Sequence, residues 1–118
     1  MPLLKVKLSL PEISKSSSCN VRTEGTEILS SAIGKSPDFV MVIVESGVPA
    51  SFGGNLTESC AYLEVKNVGE LSPEITGKLS QSLGGLMEKE FGIAPNRIYI
   101  EFQESKRHLW GWNGKTFA

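Results

Sequence analysis

The chain has 118 residues, enough for one domain and too few for two. Its apolar residues make up 40% of the total, which suffices for a core. Twelve basic residues (Lys and Arg) against 13 acidic ones leave it near neutral, which argues against a nucleic acid or an anionic membrane as partner, since both favour a basic surface.

The amino end reads Met1-Pro2-Leu3-Leu4-Lys5-Val6, with charge too early and too frequent for the apolar region of a signal peptide. Leu3, Leu4, Val6, Leu8 and Leu10 alternate with Lys5, Lys7 and Ser9 and predict a strand that Pro11 ends. Residues 14–18 read as a polar linker, with Ser17 or Ser18 as the cap of a following helix. Val21, Gly25, Ile28, Leu29 and Ala32 share one face of that helix, and Gly34 stops it. Its propensity is poor, because Gly25 and several Ser and Thr residues lie inside it.

Phe39 to Val44 is a continuous apolar run, as expected of a strand covered on both faces. Residues 51–55 are a loop, in which Phe52 reads as a packed turn residue, and Ala61 to Val65 is another strand. Ser72-Pro73-Glu74 is a helix start, with a capping hydroxyl, a proline at the first position and an acid in the first turn. Ile75, Leu79, Leu83, Leu86 and Met87 form its apolar stripe, and Gly92 follows its end. Arg97 to Phe102 and Leu109 to Trp112 complete the series as strands. Cys19 and Cys60 stand in no metal or redox spacing, so reduced thiols, a cytoplasmic location and no metal are expected.

The order is β-α-β twice. Gly34-Lys35-Ser36-Pro37-Asp38 parallels Gly92-Ile93-Ala94-Pro95-Asn96, and an apolar strand follows each. The chain therefore reads as a single domain over 1–118 with an internal pseudo-repeat, approximately 1–58 and 59–118. Two right-handed crossover units side by side give an α/β fold: a four-stranded mixed sheet with both helices on one face. The other face still carries apolar residues, Met41 and Ile43 or their alternates, and needs a cover that one chain does not supply. Oligomerisation through that face is the simplest solution.

Pro2 after Met1, Gly34-Lys35-Ser36-Pro37, Ser51-Phe52-Gly53-Gly54, Asn67-Val68-Gly69, Pro95-Asn96-Arg97-Ile98-Tyr99-Ile100 and the ending Gly111-Trp112-Asn113-Gly114-Lys115-Thr116-Phe117-Ala118 occur in this order along the whole chain. Together with the duplication they resemble the macrophage migration inhibitory factor and D-dopachrome tautomerase family. The tail and the Tyr99 segment follow the migration inhibitory factor branch. The resemblance implies a homotrimer whose sheets wrap a central channel, with an active site at each subunit interface. It also implies a cofactor-free keto–enol tautomerase acting on phenylpyruvate-like or dopachrome-like compounds. Animal members are also secreted cytokines, so a signalling or binding protein with a vestigial site is the alternative. Nothing in the sequence points to a receptor.

The implied base is Pro2. Proline nitrogen within a chain is an amide, but at a free amino end it is a secondary amine, so Met1 must be removed. An ordinary α-amino group titrates at roughly 7.7–8.0, and burial or a nearby cation lowers that value toward what carbon deprotonation needs. The resemblance gives Lys35 the substrate's anionic group and the depression of the amine's pKa. It has Val68 offer its backbone N–H with Asn67 beside it, and brings Tyr99 from a neighbouring subunit. Tyr99 is also explicable as an interface residue, and Phe117 as trimer packing. Trp110, Trp112 and Phe117 are aromatic residues suited to an aryl group at a pocket rim. Glu101, on the same side of its strand as Tyr99, departs from the family pattern, which has asparagine there. Trp110 replaces a smaller aliphatic residue. Leu63 stands where animal members have a second cysteine, so Cys60 has no thiol-redox partner. His108, between Arg107 and Leu109, reads as part of a solvated turn.

Overall fold

The computed structural model describes residues 1–118. Strand β1 (Pro2–Leu8) leads to helix α1 (Lys15–Ile33) and strand β2 (Met41–Glu45). The second unit repeats the order as β3 (Ala61–Val68), α2 (Pro73–Phe91) and β4 (Ile98–Ser105). A 3₁₀ turn precedes the closing strand of each unit, at Pro37–Phe39 and at Pro95–Arg97. The sheet order is β2-β1-β3-β4, parallel within each unit and antiparallel where β1 meets β3. Alternate residues of the two inner strands, among them Leu4, Val6, Leu63 and Val65, are buried with Val21 and Leu29 of α1 and Leu79, Leu83 and Met87 of α2. This is the expected four-stranded mixed sheet with both helices on one face.

Five expectations change in detail. Helix α1 starts earlier than expected: Ser14 caps it, accepting from the backbone N–H of Ser17 at 3.0 Å, so the supposed linker is the first turn. Burial of Val21, Gly25 and Leu29 against the sheet outweighs its poor propensity. The Phe39–Val44 run is divided, because Pro37 at the start of a 3₁₀ turn draws Phe39 into that turn. Within one chain, β2 is an edge strand covered on one face: Val42 and Val44 pack on the core, while Met41 is 60% exposed. Strand β4 runs on to Ser105, following β3 in register. Finally, Arg107–Leu109 is a 3₁₀ turn, and the tail is a hairpin of β5 (Gly111–Trp112) and β6 (Lys115–Thr116). Its turn residues Asn113 and Gly114 both have positive φ, 53° and 77°, the geometry that an Asn-Gly pair supplies.

Candidate functional site

The amino end lies at one end of the sheet, where Pro2 is buried opposite Asn67. Three other segments converge there. Gly34 ends α1 in the left-handed conformation at φ 77°, which turns the chain so that Lys35 follows outside the helix. The Ser30 hydroxyl donates to the Lys35 carbonyl at 2.6 Å and holds this turn. β3 brings Val68 and Gly69, and the tail brings Arg107 and Phe117. A cavity of about 400 Å³ lies between them, lined by Met1, Lys35, Phe39, Val68, Arg107 and Phe117 among others. An adjoining cavity of about 290 Å³ is lined by Met1, Pro2, Asp38, Phe39, Trp110 and Trp112 among others. The two share Met1 and Phe39 and make one continuous site region.

Its walls are aromatic. Phe39 meets Trp112 edge-on at 5.5 Å between ring centres, and Trp112 stacks near-parallel to Phe117 at 6.2 Å. The Met1 α-amino group in this setting has a pKa below its ordinary value, first because burial disfavours the charged form and second because the Lys35 cation is close. The environment at the chain's amino end thus lowers the basicity of an amine, the physical effect expected for Pro2.

The structure brings Pro2, Lys35, Val68, Trp110, Trp112 and Phe117 together in this region. Asn67 is adjacent but does not line either cavity: its side chain points to the helix side of the sheet and is buried, with Oδ1 lacking a hydrogen-bond partner. Tyr99 and Glu101 do share one side of β4, but not this end of the sheet. Tyr99 is in register with Tyr62, which faces Lys7, five positions along β1 from Pro2, or about 17 Å at ~3.4 Å per residue. There Tyr99 packs on Phe52 at 4.9 Å and is 68% exposed. Glu101 lies beside Glu64. Tyr62 has a raised pKa, from burial first and then from the Glu64 and Glu101 carboxylates.

Sequence reasoning missed Phe39 and Arg107 as lining residues. The one signal for Phe39 was Pro37, which starts the turn that carries it away from the strand. Arg107 read as part of a solvated turn, and only the returning tail closes that turn over the cavity. No group of three or more His, Cys, Asp or Glu side chains is placed to hold a metal ion, and no helix is long and apolar enough to cross a membrane.

A family model described as macrophage migration inhibitory factor matches residues 1–118, the whole chain. The chain belongs to the macrophage migration inhibitory factor family. That family lies within the tautomerase superfamily. Among curated relatives, the macrophage migration inhibitory factor of Meriones unguiculatus is 30% identical over 118 residues, with all of both chains covered. The homologue from Brugia malayi is 29% identical over the same span, again with all of both chains covered. The solved structure of the homologue from Prochlorococcus marinus superposes with a TM-score of 0.90 at 35% identity, covering 98% of this chain and 99% of that one.

Proposed function

We propose that this family member is a cofactor-independent keto–enol tautomerase in which Pro2, freed by removal of Met1, is the general base. The observation that carries this reading is the shared cavity: the amino end of the chain and Lys35 line one space with aromatic walls. With Met1 attached, the Pro2 nitrogen is an amide without basicity. Once freed, it is a secondary amine at a buried position one residue along from the Met1 amine, on which burial and the Lys35 cation act. It takes a proton from the carbon next to a keto group. The electron pair left behind forms the C=C bond, and negative charge collects on the former carbonyl oxygen. The proton is then returned to that oxygen, giving the enol, with no net loss or gain of atoms. Lys35 holds the substrate carboxylate, and the Val68 backbone N–H is directed to the substrate. Trp110, Trp112 and Phe117 face an aryl group such as that of phenylpyruvate.

The assembly we propose is a homotrimer. Tyr99 is too far from Pro2 of its own chain to share its site, and Glu101 is on the same side of β4, so a neighbouring copy delivers them. Met41, on the face away from the helices, and Tyr99 are the exposed apolar groups such a contact covers.

The test compares protein with and without Met1, verified by intact mass, in phenylpyruvate tautomerisation. Turnover only after Met1 removal is expected, and equal rates in the two forms would exclude Pro2 as the base. Light scattering should give about three times the 12.8 kDa chain mass, and a stable monomer at micromolar concentration would overturn the shared site.

A further inference from the structure

The larger cavity is lined by two cations, Lys35 and Arg107, as well as by Met1, and by no carboxylate. In a chain of net charge −1 this is a local concentration of positive charge. The one acid among the residues lining the two cavities, Asp38, lines the adjoining one. Neither Lys35 nor Arg107 forms an ion pair. Arg107 is nevertheless held in place: its Nε donates to the Phe117 carbonyl at 2.8 Å, and its own carbonyl accepts from the N–H groups of Trp110 and Phe117. Nη1 and Nη2 have no protein partner, which leaves a two-pronged donor whose geometry matches a carboxylate.

We infer that Arg107 is a second anion-binding residue and that the site accepts short 2-oxo acids carrying a second carboxylate. The inference rests on the tautomerase reading above. Lys35 and Arg107 reach the cavity from different segments, one after α1 and one before the tail hairpin. A single carboxylate fills a small fraction of about 400 Å³, and two cations facing one space repel each other until each has its own counter-charge. A substrate with a carboxylate at each end satisfies both, with the enolisable carbon between them near the amine. Even with Glu101 of a neighbouring copy in the same space, one carboxylate faces two cations, Lys35 and Arg107.

Two substrates of equal length separate the effect of the second carboxylate. 2-Oxopentanoate and 2-oxoglutarate each have five carbons and an enolisable C3, and differ only at the far end. Exchange of the C3 hydrogens with deuterium from D₂O, followed by NMR on protein lacking Met1, should give a kcat/KM about tenfold or more higher for 2-oxoglutarate. Arg107→Gln should lower the ratio of the two values about tenfold. Arg107→Lys, which keeps the charge and loses the fork, should retain part of the preference and serves if the Gln variant does not fold. A wild-type ratio near one, or a ratio indifferent to Arg107→Gln, overturns the inference. Binding by calorimetry decides the matter apart from catalysis, with glutarate and pentanoate as unreactive probes. If phenylpyruvate as well as both oxo acids fails to exchange, the tautomerase reading fails, while glutarate bound about tenfold tighter than pentanoate still supports Arg107 and equal affinity overturns it.

Discussion

Arg97 holds Phe52 in place from both sides of its chemistry: it donates to the Phe52 carbonyl at 3.4 Å, and its guanidinium carbon lies 5.6 Å from the centre of the Phe52 ring. The same side chain donates to the carbonyls of Ser59, Asn55 and Glu58, at 3.0, 3.4 and 2.8 Å. It is only 9% exposed. The last residue of the 3₁₀ turn before β4 thus fixes the loop over 52–59, and that loop places Phe52 against Tyr99. Replacement by Leu removes a donor from all four carbonyls and leaves those of Ser59 and Glu58 without one, while Phe52 and Asn55 keep each other's backbone N–H. Arg97→Leu should destabilise the fold by about 3 kcal/mol, read as a lower Tm and faster proteolysis within residues 52–59. An unchanged Tm would mean that the loop holds itself.

Gly25 of α1 packs on Leu4 of β1 with no room to spare: a Cβ there would come 3.0 Å from Leu4 Cδ2. Ala improves helix propensity by about 1 kcal/mol but intrudes on Leu4, and the two effects oppose each other. Val adds methyl groups to the same gap and loses most of the propensity gain. Gly25→Val should therefore cost about 2 kcal/mol, measured by urea denaturation. A stability at or above wild type would show that the helix moves off the sheet freely.

Lys35→Ala should weaken substrate binding and move the pH–rate profile upward. With Met1 in place, its α-amino group has a pKa below the ordinary value of 8.0, through burial first and the Lys35 charge second, and the freed Pro2 amine is expected to feel the same cation. The cation disfavours the protonated amine, so its removal raises the pKa and leaves less free base at neutral pH. Burial remains, so only part of the depression is lost. The alkaline rise of kcat/KM should shift to higher pH and KM should increase. If both stayed where they were, Lys35 would be a solvent-facing loop residue.

Glu101→Asn bears on the proposed trimer. In that assembly the Glu101 carboxylate of one copy enters the pocket of the next. There it favours the protonated amine and competes with the substrate for Lys35. Both effects slow turnover of an anionic oxo acid. Removing the charge should raise kcat/KM for phenylpyruvate about tenfold, equivalent to about 1.4 kcal/mol. A fall, or no change, in steady-state kinetics would show that Glu101 acts on its own face beside Glu64 and Tyr62.

Much of the fold was written along the chain. The alternation of Leu4, Val6 and Leu8 with lysines, the stripe of Leu79, Leu83 and Met87, and the start at Ser72-Pro73 are local signals of period two, period 3.6 and capping. Ser72 accepts from Ile75 N–H as its position implies. The repeated Gly-x-x-Pro spacing revealed the duplication, and short connections with right-handed crossovers then left a single sheet arrangement. Pro2 and Lys35 were legible as candidate site residues because their chemistry depends on a position in the chain and on a family pattern.

What the sequence could not decide depends on distances between segments far apart in the chain. Gly25 looked like a weakness in a helix, and only the approach of β1 shows it as the gap that Leu4 fills. Arg97 looked like a strand residue, and only the folded loop supplies its four carbonyls. Arg107 looked solvated, because the cavity that its turn closes is made from the ends of four separate segments. Periodicity reports which face of an element is buried, since that is repeated every few residues. It carries no information on which side chains from different elements converge, because that is set by the register of the strands and the packing of the helices on them. Tertiary structure therefore decided that Lys35 and Arg107 share one space and that Tyr99 and Glu101 lie away from their own chain's Pro2.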